Sequence, residues 1–105
     1  MKTYTVDITD EVDASIRHAF FYIYERSPQN AVINWLRGLY QAIDTLENMP
    51  ERCPLIREHD AFEAQVRNLI YHSHRIIFTI NDEASIVEVH AFRHGAQDDI
   101  PPGQG

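Results

Sequence analysis

The chain has 105 residues, 44% of them hydrophobic, and a formal net charge of -7. This length suits one compact domain that can bury an ordinary core. The charge excludes a broad nucleic-acid-binding surface, because such surfaces cluster Lys and Arg to neutralise phosphates. The single cysteine cannot form an internal disulfide, so nothing indicates an oxidising compartment. With no apolar run of membrane-spanning length and no signal-peptide pattern, we expect a cytoplasmic protein.

The N-terminal segment predicts a strand followed by a helix. Apolar and polar residues alternate over Thr3–Ile8, as in a half-buried strand. Thr9 can cap the helix that follows, and Asp10 and Glu11 place acids in its positive first turn. Apolar residues then recur at helical spacing, which predicts an amphipathic helix to about Glu25.

The sequence predicts a second helix after Ser27-Pro28, with Ser27 as the cap and Pro28 at the first helical position. Its apolar stripe consists of Val32, Trp35, Leu36, Leu39, Ala42, Ile43 and Leu46. The short connection between the two helices implies an antiparallel hairpin, and each helix needs a partner layer for its apolar face. Trp35 and Tyr40 are expected at the core and its rim.

Three runs rich in Val, Ile and Phe follow, at Val66–Tyr71, Arg75–Ile80 and Ile86–Phe92. Their connections are too short for a parallel return, so they predict a three-stranded antiparallel meander. The expected fold class is therefore α+β: an N-terminal strand, a two-helix antiparallel hairpin, and the meander. We expect the N-terminal strand to join the sheet and both helices to cover one face of it.

Alternation within the runs predicts an apolar face and a wetter face. The apolar face takes Ile76, Phe78 and Ile80 from the middle run, and Val87, Val89 and Ala91 from the last. The wetter face takes Arg75, Ile77 and Thr79, and Ile86, Glu88, His90 and Phe92.

The remaining segments indicate loops and a tail. Residues Asn48–Asp60 are interrupted by Pro50 and Pro54, which predicts a loop. We predict a single domain over residues 1–98 and a frayed tail over residues 99–105.

Several short motifs in this order resemble the RelE/ParE superfamily, the toxins of bacterial type II toxin–antitoxin modules, which include plasmid-stabilisation proteins. The six motifs are Ser27-Pro28-Gln29-Asn30-Ala31, Ala42-Ile43 with Leu46 and then Pro50, Pro50-Glu51-Arg52-Cys53-Pro54-Leu55, Val66-Arg67-Asn68-Leu69, His74-Arg75-Ile76-Ile77-Phe78 and Val89-His90-Ala91-Phe92-Arg93-His94-Gly95. The resemblance covers roughly Tyr4 to Asp98. It implies a small twisted sheet with a helical hairpin packed on one face, as the residue patterns also predict.

The resemblance implies two alternative activities. ParE-like members bind and poison DNA gyrase, whereas RelE-like members are ribosome-dependent endoribonucleases that cut mRNA. If this chain is a nuclease, the matching candidates for catalysis are Arg67, Arg75, Arg93 and His94, with Glu58 as an acid–base partner. The lysines and the C-terminal tyrosine that RelE uses are missing here, which favours the ParE-like alternative. The sequence leaves enzyme status open, and also leaves open a non-toxic binding module derived from such a toxin.

Each arginine candidate also has a structural interpretation. Arg67 shares a strand face with Leu69 and Tyr71, which favours a structural salt bridge. Arg75 could form a cross-strand ion pair with Glu88.

The resemblance further implies a small antitoxin partner, encoded by a neighbouring gene. Because the protein is itself acidic, we expect antitoxin binding to rely on apolar contacts in the groove between helix and sheet. Gyrase, or the translating ribosome with mRNA, would be the target. We expect no cofactor and no metal, since His72, His74, His90 and His94 lack the cysteine or carboxylate spacing of a closed zinc site.

Overall fold

A computed structural model describes residues 2–56 and 65–95 of the chain. Its helices and strands are β1 (Thr5–Ile8), α1 (Asp10–Tyr24), α2 (Gln29–Asp44), β2 (Val66–Tyr71), β3 (His74–Asn81) and β4 (Ile86–His94). Two short 3-10 turns, Thr45–Glu47 and Pro50–Arg52, follow α2. The α+β fold class and the order of elements are confirmed. No helix among the described residues is long and apolar enough to cross a membrane.

The four strands form one sheet in the order β1-β4-β3-β2. The β2–β3 and β3–β4 pairs are antiparallel, as predicted for the meander. The first strand joins the sheet beside β4 and runs parallel to it, from Thr5 opposite Ile86 to Ile8 opposite Val89. A parallel pair needs a long crossover, and the helical hairpin with the first two strands of the meander supplies it.

Both helices cover the same face of the sheet, as predicted. Val12 and Ile16 of α1 and Leu39 and Ile43 of α2 share one core cluster with residues of β3 and β4. Phe78, in the middle of β3, is fully buried at the centre of this layer. Burying an aromatic or aliphatic side chain of this size contributes roughly 1.5–3 kcal/mol, so this cluster is a main source of stability.

The two helix starts differ in how well the sequence predicted them. Thr9 caps α1, because its Oγ1 accepts a hydrogen bond of 3.1 Å from Val12 N. The predicted Ser27 cap of α2 is wrong: Pro28 occupies the N-cap position, and no side chain caps that helix. The cap position requires extended backbone, and Pro28 provides it with φ -59° and ψ 144°.

The pairing of β3 with β4 contains an irregularity that reverses part of the predicted alternation. Ile77 lies opposite Ala91 while Phe78 lies opposite Val89, so His90 is an extra residue in β4. A bulge of this kind shifts every later side chain to the other face. Phe92 therefore joins the core, and Ala91 faces away from the helices, the reverse of the prediction.

The side chains on the sheet face away from the helices are more buried than predicted. Ile77 is 2% exposed and Thr79 5% exposed, although both alternate away from the helix-covered core. Asn68, opposite Ile77 on β2, is also buried. We call this side of the sheet the open face, because neither helix packs on it.

A close approach between α2 and β2 requires a glycine. Tyr71 Oη donates a 2.7 Å hydrogen bond to the carbonyl oxygen of Trp35 and lies directly over Gly38. A Cβ at position 38 would collide with that hydroxyl oxygen. Gly38 thus lets the end of β2 dock against α2 and brings the Tyr71 and Trp35 rings to 6.1 Å.

Candidate functional site

Two of the predicted site residues, Arg75 and Arg93, meet on the open face of the sheet. They are Cα partners across the β3–β4 pair. Arg75 Nη1 donates a 3.2 Å hydrogen bond to Asn68 Oδ1. The Arg93 side chain is exposed and makes no hydrogen bond or ion pair within residues 2–56 and 65–95. The expected partner of Arg75, Glu88, lies opposite Thr79 instead. Two cations therefore face each other across the strands.

His94 lies on the other side of the same strand, away from this arginine pair. It pairs with His74 across the sheet, with the two rings 5.2 Å apart and nearly perpendicular. The His74 ring stacks on Phe92 at 4.6 Å. His94 also lines an open depression of about 400 Å³ with His18, Ala19 and Tyr22 of α1. Its neighbours are thus helix residues and aromatic rings.

Arg67 has a structural role. Its guanidinium donates hydrogen bonds of 3.1 Å to the carbonyl oxygen of Glu51 and 2.7 Å to that of Cys53. The side chain lies on the helix side of the sheet, as its alternation with Leu69 and Tyr71 predicts. These acceptors are backbone carbonyls, so the predicted salt bridge is wrong although the predicted structural use is correct. Arg67 ties the 3-10 turn at Pro50–Arg52 to β2.

One predicted site residue and the single cysteine remain. Glu58 lies outside the described residues. Cys53 is buried, and burial raises the pKa of its thiol, as expected for a small core residue rather than a nucleophile. Among the described residues, no three metal-binding side chains come together.

An exposed aromatic surface, which was not predicted from the sequence, lies on the second half of α1. Phe21 is 61% exposed, Tyr22 56% and Tyr24 46%. The guanidinium of Arg26 lies 3.7 Å above the centre of the Tyr22 ring. Four aromatic residues occur within Phe20–Tyr24, and five consecutive positions point all around a helix. That run could have revealed the surface, because a helix covered on one side cannot bury all of these rings.

Comparisons with known proteins agree with this fold. The family model described as ParE toxin of type II toxin-antitoxin system, parDE, matches residues 6–99. The archaeal RelE–RelB complex from Pyrococcus horikoshii OT3 is similar in structure, with a TM-score of 0.62 and 16% identity. That match covers 90% of this chain and 98% of the other.

Two further solved structures are similar. For the RelBE2 toxin–antitoxin complex from Mycobacterium tuberculosis, the TM-score is 0.55 and the identity 21%, over 90% of this chain and 93% of the other. For a mutant of Escherichia coli RelE in the free state, the values are 0.58 and 13%, over 93% and 90%. No curated protein sequence matches. Because the family model spans nearly the whole chain, this protein belongs to the ParE toxin family of type II toxin–antitoxin systems, within the RelE/ParE superfamily.

Proposed function

We propose that this toxin stops growth by binding DNA gyrase, and that a cognate antitoxin neutralises it. The observation that carries the proposal is the separation of the candidate nuclease residues. Arg75 and Arg93 lie on the open face, whereas Arg67 and His94 lie on the helix side. Cleavage of RNA at a 2′-hydroxyl needs cations and an acid–base group around a single phosphate. These four side chains do not surround one point.

The position of Arg67 adds weight to this argument. Its guanidinium already serves the carbonyls of Glu51 and Cys53, and moving it to a phosphate would leave those acceptors without their hydrogen bonds. A protein target makes no such demand. It needs a rigid surface with large anchors, which the exposed rings of Phe21, Tyr22 and Tyr24 on α1 offer.

A supercoiling assay with purified gyrase tests the proposal. We expect the toxin to block supercoiling, and we expect Arg75→Ala and His94→Ala to retain that block and their toxicity. Phe21→Ala should weaken the block by about tenfold if its ring is an anchor, since an anchoring residue contributes more than 1 kcal/mol. The exposed Ile33→Ala on α2 is the control for loss of an apolar side chain.

One observation favours RNA cleavage as a second candidate. Arg75 and Arg93 face each other across two strands, and a phosphate group could bridge two guanidinium groups there. Translation-dependent cuts in mRNA, abolished by Arg75→Ala in a folded protein, would establish the nuclease and refute gyrase binding as the toxic activity. If neither gyrase inhibition nor mRNA cleavage is seen and expression leaves growth unchanged, the chain is a non-toxic binding module and the proposal fails.

A further inference from the structure

One face of α1 carries a cation, two aromatic rings and an acid in that order. Arg17, Phe21, Tyr24 and Glu25 follow one another at helical spacing, four, seven and eight residues after the first, so they lie on one stripe. Glu25 belongs to the stripe because its backbone is still helical, with φ -69° and ψ -16°. The stripe points away from the side of α1 that packs on the sheet. We call it the outer stripe.

The side chains of the outer stripe are exposed and in part already ordered. Arg17 and Glu25 are both exposed, as are Phe21 and Tyr24. The ring of Phe20 meets that of Phe21 edge-on at 5.4 Å and lies 5.9 Å from that of Tyr24. Rings held in this way lose little conformational freedom when a partner covers them. The stripe is therefore a prepared contact surface.

The order of charges makes the outer stripe complementary to itself. Arg17 lies four residues before Phe21, and Glu25 lies four residues after it. When two copies of a helix pack antiparallel about a twofold axis, a residue before the axis in one copy faces the residue equally far after it in the other. An axis at Phe21 therefore brings the two Phe21 rings together. It also sets Arg17 of each copy against Glu25 of the other copy.

The contacts of Arg17 within its own chain do not compete strongly with this pairing. Its guanidinium lies 4.0 Å from the carboxylate of Asp13, which is a weak, exposed ion pair. In the antiparallel arrangement, the same guanidinium also comes beside Tyr24 of the other copy. A cation over an aromatic ring is a favourable contact, and Arg26 makes one on Tyr22 within this chain.

We propose that two copies of this chain form a reversible dimer through the outer stripe of α1, antiparallel and with Phe21 on the twofold axis. The overlap extends only from Arg17 to Glu25, and each copy carries a net charge of -7, so the dimer is weak and dissociates on dilution. A copy in the dimer has Phe21 and Tyr24 covered. Because these rings are proposed anchors for gyrase, the dimer would hold the toxin inactive; only this consequence rests on the proposed function.

A charge exchange across the axis tests the dimer. Sedimentation equilibrium of the purified toxin gives the dissociation constant of the wild type, of Arg17→Glu, of Glu25→Arg and of a one-to-one mixture of the two variants. Each variant alone places two like-charge pairs in the dimer, so we expect its association to weaken about tenfold or more. In the mixture both pairs are again opposite in charge, so association should return to within about threefold of the wild type.

The mixture isolates the contact between copies. Each variant keeps its own intrahelical contacts when the two are mixed, so the recovery can only come from pairing between chains. Arg37→Glu, at an exposed arginine of α2, is the control for the change in charge and should weaken association less than about twofold. Circular dichroism ensures that the variants compared are folded. A mixture that associates no better than its components, or an equal loss for Arg37→Glu, would overturn the proposal.

A second pair of variants tests the position of the axis. Phe21→Ala should weaken association about tenfold or more, because its ring contributes to the contact from both copies. Tyr22→Ala removes an exposed ring that faces the depression beside His94, off the outer stripe, and should weaken it less than about twofold. Equal losses for these two variants would place the contact elsewhere and refute the arrangement. So would a wild type that is still monomeric at about 1 mM, the weak limit of specific association.

These measurements need only the purified toxin, so they are independent of its target. A toxin that dimerises as described and leaves gyrase unaffected would refute the proposed function and keep the dimer. A toxin that blocks gyrase and is monomeric at every concentration would keep the proposed function and refute the dimer.

Discussion

The two ends of the sheet are built in opposite ways. At the end with the β3–β4 turn, Tyr4 Oη lies 2.5 Å from Asp82 Oδ1 and 3.2 Å from Glu51 Oε2, and its one hydrogen donates to Asp82. Lys2 Nζ lies 3.3 Å from the same Asp82 oxygen, and Arg67 bonds two carbonyls nearby. We call this the tied end.

The other end, with the β2–β3 turn, combines the Tyr71–Trp35 and Arg75–Asn68 hydrogen bonds with ring contacts. His74 stacks on Phe92, and the Trp35 ring meets the His74 ring edge-on at 5.7 Å. The Arg93 side chain has no hydrogen-bonding partner in the described part of the chain, and Arg93 faces Arg75. We call this the open end. Polar side chains at the tied end therefore stabilise the fold, whereas at the open end the exposed Arg93 side chain is left available for binding.

The largest expected effect is at the tied end, on replacing Arg67 by methionine. Arg67→Met keeps the aliphatic part of the side chain but leaves the carbonyl oxygens of Glu51 and Cys53 without their donor. We expect the free energy of unfolding to fall by about 2 kcal/mol, as for charged hydrogen bonds. Urea unfolding measures this, with the exposed Arg37→Met as control. A loss no greater than that of the control would show that the tied end does not depend on Arg67.

The alternation of apolar and polar residues predicts some features of the two ends of the sheet and not others. Alternation identified the strands, and it placed β2 at Val66–Tyr71 as observed. It failed after His90, because a bulge with no glycine or proline beside it leaves no mark in a period-two pattern. The burial of Ile77 and Thr79 was missed for a related reason, since alternation reports which face a residue points to and not what covers that face.

The candidate site was predicted less well than the fold. Arg67, Arg75, Arg93 and His94 were grouped by family motif, and motif order carries no information about which face each side chain takes. Adjacent strand residues necessarily diverge, so Arg93 and His94 could have been separated from the sequence alone. The carbonyl acceptors of Arg67 could not, because they depend on how a loop folds back on β2.

An intermediate effect is expected for Tyr4→Phe, and it should depend on pH. The hydrogen bond from Tyr4, followed by that from Lys2, holds the pKa of Asp82 below its usual range. This contribution to stability is present above the unfolded pKa of about 3.9 and is lost as pH falls through the folded value. The bond to Asp82, followed by burial, raises the pKa of Tyr4. That contribution is present below about pH 10 and is lost as pH rises through the folded value.

We therefore expect the wild type to exceed Tyr4→Phe in stability most at neutral pH, and the gap to narrow in acid and in alkali. Urea midpoints measured across the pH range give this gap, and Tyr24→Phe, at an exposed tyrosine, serves as the control. A gap that does not vary with pH would mean that packing, and not the Tyr4–Asp82 hydrogen bond, accounts for the loss.

The smallest expected effect is at the open end, where we expect a substitution to raise stability rather than lower it. Like charges directly opposite each other on neighbouring strands destabilise a sheet, and Arg93 faces Arg75 in this way. Arg93→Thr removes one charge and places a β-branched residue in the strand, so we expect a gain of about 0.5 kcal/mol.

Because both guanidinium groups lie on the sheet surface, salt should screen their repulsion and reduce the gain from Arg93→Thr. Arg93→Lys keeps the charge and should leave stability unchanged, which separates charge from side-chain shape. Urea unfolding at low and high salt measures both variants. If Arg93→Thr instead lowers stability as much as Arg67→Met does, the arginines at both ends are structural and the contrast between the ends is wrong. If Arg93→Thr raises stability and weakens antitoxin binding, Arg93 serves binding at the open end and lowers the stability of the fold.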